Sequence, residues 1–136
     1  MPDIDGTYLE CAIKAAFTLG GFGDISLKIG SLYNDKTDAT IEMVKFLLHK
    51  YDFLHVCMMI TSSWYDVSNE NPYVADYGQN LGAHAVLACG YDQSGLYIQN
   101  SWGKSFGAKG FAIVPWNVFK KQFNSALYLQ GEFGDI

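Results

Sequence analysis

The stretch from Gly82 to Pro115 contains a histidine and an asparagine that could act together in catalysis. It reads GAHAVLACGYDQSGLYIQNSWGKSFGAKGFAIVP, so an apolar run follows His84 and an Asn-Ser-Trp-Gly sequence begins at Asn100, sixteen positions later. An imidazole next to a thiol favours the thiolate, which is the strongly nucleophilic form of cysteine. A buried asparagine amide can fix the tautomer of an imidazole without adding charge. The alternative interpretation is a core histidine with satisfied hydrogen bonds and a turn asparagine.

This segment resembles the closing segment of papain-like cysteine peptidases, particularly bacterial-type members. A small residue precedes His84, an apolar strand ending in Gly-Tyr follows it, and a hairpin leads to Asn-Ser-Trp-Gly and then to a Gly-rich turn over residues 106–111. In that family the histidine takes the proton of a cysteine nucleophile, the asparagine oxygen orients the imidazole, and the tryptophan shields their bond from water. The resemblance therefore implies catalytic positions at His84 and Asn100 and a supporting position at Trp102.

The N-terminal part of the chain extends the resemblance but contains no nucleophile motif. Residues 6–14, GTYLECAIK, look like the Gly-Tyr-led helix in the middle of the family's first subdomain, which follows the nucleophile helix. The family's nucleophile stands at the head of a central helix in a Gln-rich, Gly-Ser-Cys type motif, and nothing before Gly6 matches it. The resemblance implies a papain-like fold truncated at the N-terminus, while Met1 favours a complete reading frame over a clipped domain.

Three cysteines are candidates for the missing nucleophile. Cys89 follows His84 on the same predicted strand and Cys57 lies in an apolar run, so both are interpreted as small core hydrophobes. Cys11 is the remaining contender, because compact cysteine hydrolases can have short Cys-to-His spacings. It lies well inside a predicted helix, however, and no oxyanion-donating Gln precedes it. An odd number of distant cysteines also predicts free thiols in a reducing compartment, such as the cytoplasm or a virion.

Metal binding is an alternative role for the histidine and cysteine side chains. His55 and Cys57 project to one side of a predicted strand, and His84 and Cys89 lie on another strand, so two pairs could converge on a zinc ion. Their spacings match no common zinc pattern. The sequence therefore predicts no metal and no cofactor.

The elements that position these residues follow from apolar periodicity and turn residues. Helices are predicted at residues 7–19 and 38–50, and strands at residues 54–61, 83–91, 95–100, 110–114 and 126–130. Residues 21–36 are predicted to be a structured connection, residues 62–80 a long surface loop, and residues 116–123 a short helix beginning after Pro115. Together these elements predict an α+β fold, in which a curved antiparallel sheet carries two or three packed helices in one domain over residues 1–136.

Composition restricts the classes of partner. The chain has 136 residues, with 9 Lys+Arg against 14 Asp+Glu and a hydrophobic fraction of 49%, which is typical of one soluble domain. Binding to a phosphate backbone needs clustered cations, and the longest run here is Lys120-Lys121, so no nucleic-acid partner is predicted. No apolar run approaches the roughly 20 residues that span a bilayer, and the acidic residues 1–5 do not resemble a signal peptide.

Two functional hypotheses follow. The first is a papain-like pseudopeptidase that acts as a non-catalytic binding or structural module, for example as a subunit of a larger assembly such as a virus particle. The second is an active cysteine peptidase or amidase that uses Cys11, or a nucleophile from a partner chain, with His84 and Asn100. The sequence also predicts a protein partner, either a second copy or another chain. The predicted interface is the apolar face that the missing nucleophile helix would cover, or the aromatic loop with Trp64, Tyr65, Tyr73 and Tyr77.

Overall fold

The computed structural model describes residues 25–133, so the helix predicted at residues 7–19 lies outside the described part of the chain. The described residues form β1 (Ile25–Tyr33), α1 (Asp38–Tyr51), β2 (Leu54–Thr61), β3 (Asn80–Tyr91), β4 (Gly95–Gln99), β5 (Phe111–Pro115), α2 (Trp116–Gln122) and β6 (Phe123–Phe133). A short 3-10 helix, Ser62–Asp66, follows β2 directly. This mixture of helices and strands is the predicted α+β composition.

All six strands belong to one sheet, in the order β1-β6-β2-β3-β4-β5, and every neighbouring pair is antiparallel. The central pair, β2 and β3, places Met58 directly opposite His84. β4 returns along β3 through a tight connection, and Gln99 lies opposite Leu87. The hairpin of β3 and β4 therefore brings His84 close to the residue that follows Gln99.

The helix α1 begins and ends at recognisable caps. The Thr37 hydroxyl accepts a hydrogen bond from the Ala39 N–H at 3.2 Å, which satisfies one of the free donors of the first turn. At the other end Asp52 adopts a positive φ of 70°, and its N–H donates to the Leu48 carbonyl at 2.9 Å. Its buried side chains, which include Val44 and Leu47, recur at helical spacing and pack toward the sheet.

The main core lies against one face of the sheet. On β2 the residues Leu54, Val56, Met58 and Ile60 are buried, whereas the intervening residues are half-buried or exposed. Both helices and the 3-10 helix contribute to this core, through side chains such as Val44, Trp64 and Phe119. The opposite face of β2 and β3 includes Met59, Ala83 and Ala85, all of which are exposed.

Most predicted elements are present, with shifted ends. The helix at 38–50 and the strand at 54–61 match α1 and β2, whereas the strand predicted at 126–130 extends over Phe123–Phe133. The prediction of a non-strand connection over residues 21–36 is wrong, because Ile25–Tyr33 forms β1. Neither helix in residues 25–133 has the length and apolar character needed to cross a bilayer.

Candidate functional site

The β3–β4 hairpin brings His84 and Asn100 into direct contact. His84 Nε2 lies 2.7 Å from Asn100 Oδ1. At the closed end of the hairpin, Asp92 Oδ1 accepts the N–H groups of Ser94 at 2.7 Å and Gly95 at 3.2 Å, and this turn sets the register of the two strands. At the open end, the Asn100 N–H donates to the Gly110 carbonyl at 2.9 Å. The predicted proximity of His84 and Asn100 is thus observed, at a distance suited to the orienting hydrogen bond, which needs roughly 3 Å.

The hydrogen bonds of Asn100 determine the tautomer of His84. Asn100 Oδ1 also accepts the backbone N–H of Ser101 at 2.8 Å. A backbone N–H can only donate, so the atom facing both groups must be the amide oxygen. An oxygen acceptor requires the proton of the neutral imidazole to be on Nε2, which leaves the lone pair on Nδ1. In the neutral form of His84, Nδ1 is therefore the nitrogen that can accept a proton.

Aromatic rings surround this pair. The Trp102 ring centroid lies 5.0 Å from that of His84, and Trp64 meets His84 edge to face at 6.4 Å. Phe106 contacts both indoles, stacked on Trp64 at 6.3 Å and edge-on to Trp102 at 5.4 Å. Asn100 is only 6% exposed beneath these rings. A hydrogen bond in such surroundings is stronger than in water, because the local dielectric constant is low.

The Gly-rich turn after Asn100 holds Trp102 and Phe106 in place. The Phe106 carbonyl accepts the Gly110 N–H at 2.7 Å, and Ala108 and Phe111 form an isolated antiparallel bridge. Gly107 has a φ of 54°, and a Cβ there would lie 2.2 Å from the Phe111 carbonyl oxygen. Only glycine fits this position without displacement of the backbone.

The predicted interface residue Trp64 requires a correction. It is fully buried, and its Nε1 donates to Gln122 Oε1 at 2.9 Å. The cause is the 3-10 helix at the start of the loop, which turns the indole toward the core. Tyr65, Tyr73 and Tyr77 remain exposed, by 67%, 45% and 56%, respectively.

An aromatic slot lies beside the His84–Asn100 pair on the surface. It has a volume of about 320 Å³ and is lined by Tyr65, Val67, Trp102, Ser105 and Phe106. The Tyr65 ring stacks on Trp102 at 5.0 Å with an interplanar angle of 13°. Sequence reasoning identified Tyr65 and Trp102 separately but not this contact, because residues 37 positions apart meet only through the fold.

Neither of the two cysteines within residues 25–133 lies where its thiol could transfer a proton to His84. Met58 lies directly opposite His84, so the two side chains share one face of the sheet. Cys57 is the neighbour of Met58 on β2, and successive side chains of a strand point to opposite faces. The Cys57 thiol therefore lies on the other face of the sheet from the imidazole. Burial raises the pKa of the Cys57 thiol, and a hydrogen bond with the backbone of His84 offsets part of that rise. The predicted core position of Cys89 is wrong: it lies at an irregularity of β3, is exposed, and its Sγ is 3.6 Å from the Tyr97 carbonyl oxygen. Cys11 lies outside the described residues.

The pairs weighed for zinc binding do not converge. His55 and Cys57 are on the face of β2 opposite to Met58, whereas His84 is on the face of Met58. No group of three His, Cys, Asp or Glu side chains within residues 25–133 is arranged to hold a metal ion.

Comparison with solved structures finds a similar fold. Xylellain, a cysteine protease from Xylella fastidiosa, matches with a TM-score of 0.58 and 20% sequence identity. The match covers 74% of this chain but 39% of the xylellain chain, so this chain spans less than half the length of that protein. No protein-family model matches the chain, and no curated protein matches it. The likeness shows a papain-like fold over about three quarters of the chain.

Proposed function

We propose that this chain is a papain-like pseudopeptidase, a module that binds a protein partner without cleaving it. The observation that carries the proposal is the placement of the thiols. His84 and Asn100 form the pair that a cysteine peptidase needs, yet Cys57 and Cys89 stay away from the imidazole. Without a nucleophile, the remaining parts of such a site provide only residual catalysis.

The His84–Asn100 pair has a structural use that is independent of chemistry. Gln99 and Leu87 form the last ladder pair of β3 and β4 at this end, and the imidazole–amide bond lies beyond it. The bond therefore ties two strands together where their backbone pairing ends. A buried amide that makes such a bond is expensive to replace, because its partner would be left unsatisfied. A non-catalytic protein can keep both residues for this reason.

The proposed partner is protein, either a second copy or another chain, including neighbouring subunits of an assembly such as a virus particle. Tyr65 and Trp102 offer stacked rings at the mouth of the slot, and tyrosine and tryptophan are enriched in protein interfaces. The exposed apolar face around Met59 and Ala85 is the second candidate surface. Both surfaces lie in the central part of the sheet and its loop, away from β1.

An active cysteine hydrolase is the second candidate function. One observation favours it: Asn100 Oδ1 contacts Nε2 of His84, so Nδ1 is the nitrogen that could act as a general base. The nucleophile would come from Cys11 or from a partner chain. In either case the thiol must reach Nδ1 to within about 3 Å.

We expect the purified chain to associate, and Tyr65→Ser to weaken that association by about tenfold, because aromatic side chains at the centre of an interface contribute much of its affinity. Light scattering and sedimentation over a range of concentrations measure the effect. Met59→Glu tests the second surface in the same way. Tyr33→Ser is the matched control, since Tyr33 is equally exposed, at 67%, but lies on the edge strand β1.

A strictly monomeric chain at high concentration would contradict association between copies. Equal losses in Tyr65→Ser and Tyr33→Ser would show that the aromatic slot is not a specific interface.

A further inference from the structure

Gln122 is a buried polar residue that plays no part in the proposed function. It is the last residue of α2 and is 2% exposed. Its Oε1 accepts the Trp64 Nε1–H at 2.9 Å, and its Nε2 donates to Asp76 Oδ1 at 2.8 Å and to the Ala75 carbonyl at 3.2 Å. Both ends of the amide are therefore occupied. A buried amide is costly unless its groups are paired, so each of these contacts restrains its partner.

Trp64 connects this amide to the candidate site. Its indole is fully buried and meets the His84 ring edge to face at 6.4 Å, a normal separation for an interacting aromatic pair. Trp102 packs on His84 at 5.0 Å and Asn100 holds Nε2. The imidazole is thus held by one hydrogen bond and two indoles. Of these indoles, Trp64 is anchored through its own N–H to a residue 58 positions away in the sequence.

We propose that Gln122 is a positioning residue for His84 and acts through Trp64. The hydrogen bond from Trp64 Nε1 fixes the rotation of the indole, because only one orientation places that N–H at Gln122 Oε1. A fixed indole leaves the imidazole one position in which it can bond to Asn100. The proposal concerns the orientation of the ring and holds whether His84 binds or catalyses.

The simpler role for Gln122 is to fasten the loop after β2 to α2. Asp76 and Ala75 belong to that loop, and Ser63 Oγ also donates to the Ala75 carbonyl at 2.8 Å. The two roles use different ends of the amide. Loop fastening depends on Nε2, whereas positioning of His84 depends on Oε1, so the two roles can be separated by substitution.

The experiment measures hydrogen exchange of the His84 Nε2–H by ¹H–¹⁵N NMR on the full chain. In Gln122→Met, which keeps the side-chain length but removes both polar groups, we expect this exchange to become about tenfold faster, since the buried hydrogen bond that restrains the indole is lost. Asp76→Ala is the matched control, because it removes a loop contact and leaves the Trp64–Gln122 bond intact. We expect its exchange rate to stay within about twofold of the unsubstituted chain.

Unchanged exchange in Gln122→Met, or the same acceleration in both variants, would overturn the proposal in favour of loop fastening. If Gln122→Met does not fold, Trp64→Phe removes the same hydrogen bond while keeping an aromatic ring. It should then show the tenfold change, and an unchanged rate would overturn the proposal equally. The readout requires no partner and no turnover, so its failure is distinct from failure of the proposed function.

Discussion

Replacing Trp64 by alanine is expected to lower the free energy of unfolding by about 3–5 kcal/mol, the usual cost of deleting a large buried aromatic side chain. Trp64 is fully buried and packs against Phe106 and His84. The substitution also leaves Gln122 Oε1 without the donor that it has in the native protein. Because domains of this size are stable by only about 5–15 kcal/mol, a large share of the stability is lost.

Denaturant unfolding followed by fluorescence and circular dichroism measures this loss. Tyr65→Ala is the neighbouring control. Tyr65 stacks on Trp102 but is 67% exposed, so we expect a cost of about 1 kcal/mol or less. A loss in Trp64→Ala no larger than in Tyr65→Ala would show that the indole does not belong to the core.

The second large effect is expected at Gly107, in the turn that carries Phe106. Alanine there combines two penalties. Its φ of 54° is unfavourable for a residue with a side chain by about 1–2 kcal/mol. The added Cβ would lie 2.2 Å from the Phe111 carbonyl oxygen, and overpacking of this kind costs roughly 1–3 kcal/mol more. We therefore expect Gly107→Ala to lower the free energy of unfolding by about 2–5 kcal/mol.

Gly103→Ala separates the two penalties. Gly103 also has a positive φ, of 90°, but no atom lies within 4 Å of the position of an added Cβ. The steric part is thus absent, and we expect the smaller loss of about 1–2 kcal/mol. Equal losses at Gly103 and Gly107 would mean that the close approach to Phe111 is relieved at no cost.

Local patterns predicted most of the secondary structure, and the exception has a physical cause. Helix α1 has helical apolar periodicity and an N-cap residue, and β2 is a short apolar run, so both were predictable. Strand β1 contains the alternating residues Ile25, Leu27 and Ile29, but the Gly, Asp, Ser and Asn residues within 21–36, which include Gly30, favoured a connection. Its glycine is explained by Tyr128, whose ring would lie 2.1 Å from an added Cβ. That contact comes from the distant strand β6, so no local pattern contains it.

The candidate site was also predictable from the sequence only in part. His84 and Asn100 lie on one hairpin, and the predicted hairpin together with the family resemblance placed them side by side. Trp64 was placed in a surface loop because its neighbours are polar and aromatic without a period. In the fold it is buried, and its indole N–H donates to Gln122, which comes from α2. A buried hydrogen bond between distant residues is a tertiary property, and no residue pattern near Trp64 encodes it.

We propose that this chain carries the His84–Asn100 pair without a working nucleophile. Turnover of a panel of fluorogenic peptide and amide substrates by the full chain tests it most directly, with His84→Ala and Cys11→Ala as matched variants. We predict that the full chain shows no turnover above that of His84→Ala, since no thiol of residues 25–133 is bonded to the imidazole. Turnover that disappears in both His84→Ala and Cys11→Ala would contradict the account and identify a cysteine hydrolase.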